Sequence, residues 1–183
     1  MKMKQVSRYH PLLVTLHWLL AVLIIAALAI GFFWLAAMPN SDPRKIDVLL
    51  VHMAGGMLIL ALIVIRFIVR MWTARPPAAT TGNRPLDRIA PIVHYGFYIL
   101  VVLMAGTGLA TAILSHLNDI VFAGSCEPLP PTLMIYPTRV AHGYIALLLA
   151  YFVILHVAAA IYHQFVRKDG LIRRMSFGQR ESN

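Results

Sequence analysis

The sequence predicts an all-α membrane protein, a bundle of four transmembrane helices that forms a single domain over residues 1–183. Of its 183 residues, 60% are hydrophobic and only 13% are charged. The mean hydropathy is +0.74. Soluble domains carry about 25% charged residues. Lipid is therefore the expected surroundings of most of the chain.

Four apolar runs have the length of a membrane span. A hydrocarbon core of about 30 Å requires roughly 20 helical residues. The runs cover about residues 11–38, 47–70, 89–114 and 139–166, and helix-ending or basic residues flank each one. The first run follows a basic N-terminus, as a signal peptide does, but it is too long for a cleaved apolar region. It is therefore predicted to remain as a helix.

The positions of the basic residues predict the orientation. On one side lie Arg66, Arg70, Arg75, Arg84 and Arg88, with Arg167, Lys168, Arg173, Arg174 and Arg180 in the tail. The opposite side has Arg44, Lys45 and Arg139. Cytoplasmic loops carry the excess of Lys and Arg, so both termini are predicted to be cytoplasmic. The net charge of +9, distributed in this way, indicates contact with lipid headgroups and no role in nucleic-acid binding.

The predicted outer loop, residues 115–138, is long for a connection within a bundle. It contains four prolines and Cys126, the one cysteine of the chain, so no intrachain disulfide can form. Two interpretations remain open for this loop: a lid over an outer site, or a passive connection.

Six of the eight histidines lie within the spans or at their ends, where ionisable groups tend to be functional. They are His17, His52, His94, His142, His156 and His163, whereas His10 and His116 are expected at the surface. His142 and His156 are fourteen residues apart on one predicted helix. That spacing gives a rise of about 21 Å on nearly the same face. Counting from the helix ends places His52 level with His142, and His17 level with His156.

Each layer offers two histidines on different helices, and a b-type haem takes two axial ligands from facing helices. The two layers therefore predict two b-type haems. The predicted pairs are His52 with His142 near the outside, and His17 with His156 nearer the inside. Hydrogen-bonded core histidines and polar contacts between helices are the plainer alternatives. A zinc site would bring four ligands together, and each layer offers about two. A haem-free, histidine-lined proton or metal carrier is a remoter alternative.

Further polar residues lie near the predicted inner layer. Arg66 and Arg70 are one turn apart and either pair with haem propionates or extend to the interface. His163 follows His156 by seven residues, and His94 lies near the inner end of the third span. These two histidines are candidates for a quinone site that passes protons, or for polar contacts at helix ends.

The residues that carry these features also resemble a known family. They are Leu16–Leu19 around His17, Val51–Gly56 around His52, His142, Leu155–Ala160 around His156, His163, and Lys168–Gly170. From about Tyr9 to Met175 the chain resembles the bacterial cytochrome b561 family of four-helix, di-haem membrane proteins. The resemblance implies haem ligation by His17, His52, His142 and His156, and a place in the bacterial inner membrane.

Some members of that family are similar to superoxide oxidases, which pass electrons from superoxide at the outer face through two haems to ubiquinone. The residue that matches His163 belongs to their quinone region. Where they carry a lysine near the inner end of the second helix, this chain has Trp72. The leading hypothesis is an oxidoreductase that links an outer one-electron donor, with superoxide as a candidate, to ubiquinone. The alternative is a haem-bearing subunit that relays electrons for a partner dehydrogenase or a periplasmic protein.

Overall fold

The computed structural model describes residues 6–77, 84–125 and 127–178, which leaves Cys126 and Arg180 outside the described residues. The described part is all helical, with no β-strand, and four of its helices are long and apolar enough to cross a membrane. The predicted fold class is confirmed. In chain order the helices are α1 (Pro11–Ala29), α2 (Arg44–Trp72), α3 (Arg84–Leu114), α4 (Leu117–Val121) and α5 (Pro137–Tyr162).

Three shorter helical segments complete the fold. A π-helical segment, Ile30–Leu35, continues α1, and a second one, His163–Arg167, continues α5. A 3-10 helix, Leu171–Met175, follows near the C-terminus. π-Helical turns within α-helices are rare and often lie at functional sites.

Local interactions explain where the helices begin and end. The first helical run stops at Leu35, short of the predicted residue 38. The α2 helix begins at Arg44, before the predicted residue 47, and the Asp42 carboxylate accepts a hydrogen bond from the Arg44 N–H at 3.0 Å. The α3 helix begins at Arg84 and contains Pro91, and its apolar span runs from Pro91 to Leu114. Pro137 opens α5, two residues before the predicted start.

The spans pack in chain order, with α1 against α2, α2 against α3, and α3 against α5. Their shared core includes Leu20 of α1, Ile63 of α2, Val101 of α3 and Leu149 of α5, which are all buried. Many other large apolar side chains face outward, as expected for helices that contact lipid. This core lies between the two predicted histidine layers.

The predicted outer loop, residues 115–138, folds back onto the bundle. Leu117, Ile120 and Leu129 are buried in a second cluster with Leu49 and Ala112 of the spans. Outside this cluster, the Asn40 side-chain amide donates to the Pro130 carbonyl at 2.6 Å, and the Thr111 hydroxyl donates to Thr138 at 2.9 Å. The loop is thus held against the N-terminal ends of α2 and α5 and the C-terminal end of α3.

The 3-10 helix and the residues after it contact the opposite end of the bundle. The Trp18 indole N–H donates to the Met175 carbonyl at 2.9 Å, and Arg174 donates to the Pro77 carbonyl at 2.6 Å. Arg8 donates to the Phe177 carbonyl at 2.8 Å. The C-terminal segment therefore links the start of α1 with the connection that follows α2.

Candidate functional site

The structure brings His52 of α2 and His142 of α5 together. Their ring centroids are 6.2 Å apart, and both side chains are half-buried. We call these two residues the outer pair, following the predicted orientation. Two glycines lie close to these rings. A Cβ atom at Gly31 would lie 3.6 Å from the His52 ring, and a Cβ atom at Gly108 would lie 3.0 Å from the His142 ring.

Hydrogen bonds fix the orientation of the His142 ring. Its Nδ1 lies 3.0 Å from the Met104 carbonyl oxygen and 3.3 Å from the Thr107 hydroxyl. A carbonyl only accepts, so Nδ1 carries the proton. The other nitrogen, Nε2, then has a free lone pair. Histidines that bind metals commonly donate their second ring N–H to a backbone carbonyl in this way.

A large cavity opens beside the outer pair. Its volume is about 790 Å³, within the range of about 300–1,000 Å³ that is usual for small-molecule and cofactor sites. Both histidines line it, together with Gly56, Gly108 and Gly143, mostly among apolar side chains. The buried Nδ1 of His52 makes no hydrogen bond of normal geometry in the described residues. A planar apolar cofactor with one ligand on each side fits these residues.

A second pair lies deeper along the helices. The ring centroids of His17 in α1 and His156 in α5 are also 6.2 Å apart, and we call these residues the inner pair. Two α3 side chains lie against His156: the centroid of His94 is 6.1 Å away and that of Phe97 is 5.4 Å away. The structure therefore places His94 beside the inner pair, although its sequence position suggested a place nearer the helix end.

Arg66 of α2 follows His52 by fourteen residues, as His156 follows His142, and this spacing brings it to the level of the inner pair. Its guanidinium donates to the Tyr98 hydroxyl, and it lies over the Tyr98 ring, 5.6 Å from the centroid. The buried Nε has no hydrogen-bond partner in the described part of the chain. Arg70 lies one turn further along α2.

His163 stands at the start of the second π-helical segment, seven residues beyond His156. Its Nδ1 lies 2.6 Å from an Asp169 carboxylate oxygen. Partial burial acts to raise the pKa of Asp169, but hydrogen bonds from His163 and the Leu171 N–H, with the nearby charge of Arg167, lower it overall. The carboxylate therefore stays charged and holds the His163 ring.

Four residues near these sites were not identified from the sequence as contacts of the histidines or of Arg66. They are Met104, Thr107, Tyr98 and Asp169, and each contact joins residues that are six or more positions apart. In residues 6–77, 84–125 and 127–178, no three His, Cys, Asp or Glu side chains are arranged to hold a single metal ion.

Comparisons with known proteins give the family. A family model described as prokaryotic cytochrome b561 matches residues 8–178. A probable superoxide oxidase, CybB of Yersinia pestis, is 27% identical over 181 residues, an alignment that covers 92% of this chain and 96% of that protein. Membership of a b-type cytochrome family favours haem chemistry over the haem-free carrier. The chain belongs to the prokaryotic cytochrome b561 family and is a multi-pass bacterial membrane cytochrome of the b type that functions in electron transfer.

Proposed function

We propose that this cytochrome transfers electrons from superoxide at the outer face of the bacterial inner membrane to ubiquinone at the inner face, and that both termini are cytoplasmic. In this scheme the outer pair and the inner pair each hold one haem b. The observation that carries the proposal is the presence of two histidine pairs with the same 6.2 Å separation at two depths.

The geometry of the outer pair suits axial ligation. His52 and His142 face each other from different helices, and the Met104 carbonyl holds the His142 ring with Nε2 available. Bound haem would supply reversible one-electron chemistry at each layer. His142 and His156 are fourteen positions apart, which sets the layers about 21 Å apart along α5. Electrons would pass between haems held at these two depths.

At the inner layer, the cations of α2 suit the carboxylates of a haem. Arg66 donates to Tyr98, but its buried Nε has no hydrogen-bond partner among the described residues. A buried guanidinium is costly without an anion, so haem propionates are the proposed partners of Arg66 and, one turn further along, of Arg70.

The proposed quinone site includes His163 and His94. The Asp169 carboxylate accepts the Nδ1 proton of His163, which leaves Nε2 able to bond a quinone oxygen and to pass a proton. Two superoxide anions each lose one electron and become O₂. One ubiquinone takes up these two electrons and two protons and becomes ubiquinol. The name of the Yersinia relative supports superoxide as the donor.

The experiment is a stopped-flow measurement on the purified protein. Enzymatically generated superoxide should reduce the haems during the stopped-flow time course, and superoxide dismutase should abolish that reduction. A short-chain ubiquinone that is added afterwards should reoxidise the haems. A His52→Ala variant should lose the reduction by superoxide. His116→Ala is the matched control, because His116 is an exposed histidine at the same end of the bundle that does not line the cavity.

Each outcome bears on a different part of the proposal. A colourless protein, produced with ample haem, would refute both haem assignments. A haem protein that is reduced no faster by superoxide than in the presence of dismutase would refute the donor. Haems that are reduced but not reoxidised by quinone would refute the acceptor.

A further inference from the structure

Two cations, Lys45 and Arg139, line the cavity beside the outer pair. Lys45 lies in the first turn of α2, seven residues before His52, so it lies about two turns outward on the same face. Arg139 lies in the first turn of α5, three residues before His142. Each cation therefore stands on the outer side of one histidine of the outer pair.

The two cations differ in their burial: Lys45 is buried, whereas Arg139 is partly exposed. The Lys45 side chain is only 7% exposed, and its ammonium donates to the Met38 carbonyl, which uses one of its three N–H groups. The Arg139 guanidinium folds along its own helix, with Nη1 3.4 Å from the position of a Cβ on Gly143. A side chain at position 143 would compete for this space.

No carboxylate compensates these charges in the described part of the chain. Asp and Glu are absent from the residues that line the cavity, and neither Lys45 nor Arg139 forms an ion pair with a described residue. The two cations also repel each other. The N-termini of α2 and α5 add their positive ends at the same place. Burying a cation without a compensating charge is unfavourable, so a bound anion would stabilise this part of the cavity.

We infer that Lys45 and Arg139 bind the propionate carboxylates of the outer haem. This inference rests on the proposed haem at the outer pair. A resident carboxylate compensates a permanently buried ammonium, whereas a transient anion such as superoxide leaves it uncompensated for most of the time. The outer layer then repeats the arrangement proposed for Arg66 at the inner layer: two histidines with a cation that has no protein carboxylate.

The test compares haem loss from the purified holoprotein of four variants. Lys45→Met and Arg139→Met each remove the charge and keep much of the side-chain volume, and Lys45→Arg keeps the charge. Arg44→Met is the matched control, because Arg44 is 81% exposed and already pairs with Asp42 at 2.8 Å. Transfer of haem to excess apomyoglobin gives the rate of loss, and a spectroscopic redox titration gives the potential of each haem.

We expect one of the two haems to leave about 10- to 100-fold faster in Lys45→Met and in Arg139→Met, as for the loss of one charge-assisted hydrogen bond. Its reduction potential should fall, because the carboxylate loses its compensating cation. Lys45→Arg should restore much of both properties, and Arg44→Met should leave them unchanged. In a His142→Ala background, which lacks the outer haem, Lys45→Met should not affect the remaining haem.

Three results would overturn the inference. Haem loss and both potentials could stay unchanged while only the reaction with superoxide slows, which would mean that the cations steer an anion. Both haems could be lost equally, which would mean a general effect on folding. If the Lys45→Met protein does not fold, Arg139→Met is the deciding variant, and unchanged haem retention in Arg139→Met would refute the assignment. Absence of haem from the wild-type outer pair would instead refute the proposed function.

Discussion

Gly108 offers a test of the outer pair that leaves the histidines themselves in place. A Cβ at position 108 would lie 3.0 Å from Cε1 and 3.3 Å from Nδ1 of His142. Carbon atoms in favourable contact are about 3.5–4.0 Å apart, so the Gly108→Ala methyl overlaps the ring by roughly 0.5 Å. The ring cannot simply retreat, because its Nδ1 is bonded to the Met104 carbonyl at 3.0 Å. The substitution therefore turns or shifts the imidazole.

Overpacking of this kind costs about 1–3 kcal/mol. If the His142 ring must take its present position to bind iron, the affinity of the outer site for haem should fall by about 5- to 150-fold. The ratio of haem to protein and the reduced-minus-oxidised spectrum measure this loss, and the inner haem should be retained. Gly106→Ala is the matched control on the same helix, since nothing lies within 4 Å of its added Cβ. If Gly108→Ala binds two haems with unchanged spectra and potentials, His142 is not a constrained axial ligand.

The other predictions address one site each. His142→Ala should remove the outer haem and His156→Ala the inner one, as seen in the haem-to-protein ratio; retention of both haems in either variant would contradict the pairing. Arg66→Met should increase the rate of inner-haem loss by about tenfold or more, because it removes a charge-assisted bond to a propionate, and an effect on the outer haem alone would refute that contact. Asp169→Leu should slow reoxidation of the haems by quinone by about tenfold, because His163 loses a charge-assisted hydrogen bond. Reduction by superoxide should stay unchanged. Equal rates of reoxidation in variant and wild type would argue against a role of Asp169 in holding His163 at the quinone site.

The fold could be predicted because its signals are local. Hydropathy and length identify the four spans, and the fixed rise of an α-helix converts the spacing of His142 and His156 into a depth difference. The ends of the helices were less predictable, because they depend on individual interactions. The α2 helix, for example, begins at Arg44, three residues before its predicted start, where the Asp42 carboxylate accepts a hydrogen bond from the Arg44 N–H.

The surroundings of the histidines could not be predicted from the sequence. Between His163 and Asp169 the chain passes through the second π-helical segment and through Lys168, which has a left-handed φ of 52°. Lys45 was expected on the outer side, but the sequence alone does not show that its ammonium turns back onto the Met38 carbonyl. Such contacts depend on how neighbouring segments pack, and no short motif encodes them.

The division of polar residues between helices explains how the bundle keeps its two sites apart. The α5 helix provides one histidine to each pair, and α2 provides His52 to the outer pair and Arg66 to the level of the inner pair, each time with a spacing of fourteen residues. Since this spacing returns nearly to the same face after about 21 Å, both helices present their polar groups to one interior surface at two depths. Between these depths lies the apolar core that contains Leu20 and Leu149. An insertion of one residue in α5 between His142 and His156 would turn the second histidine by about 100° and separate it from His17, so the length of this segment is as strictly required as the histidines themselves.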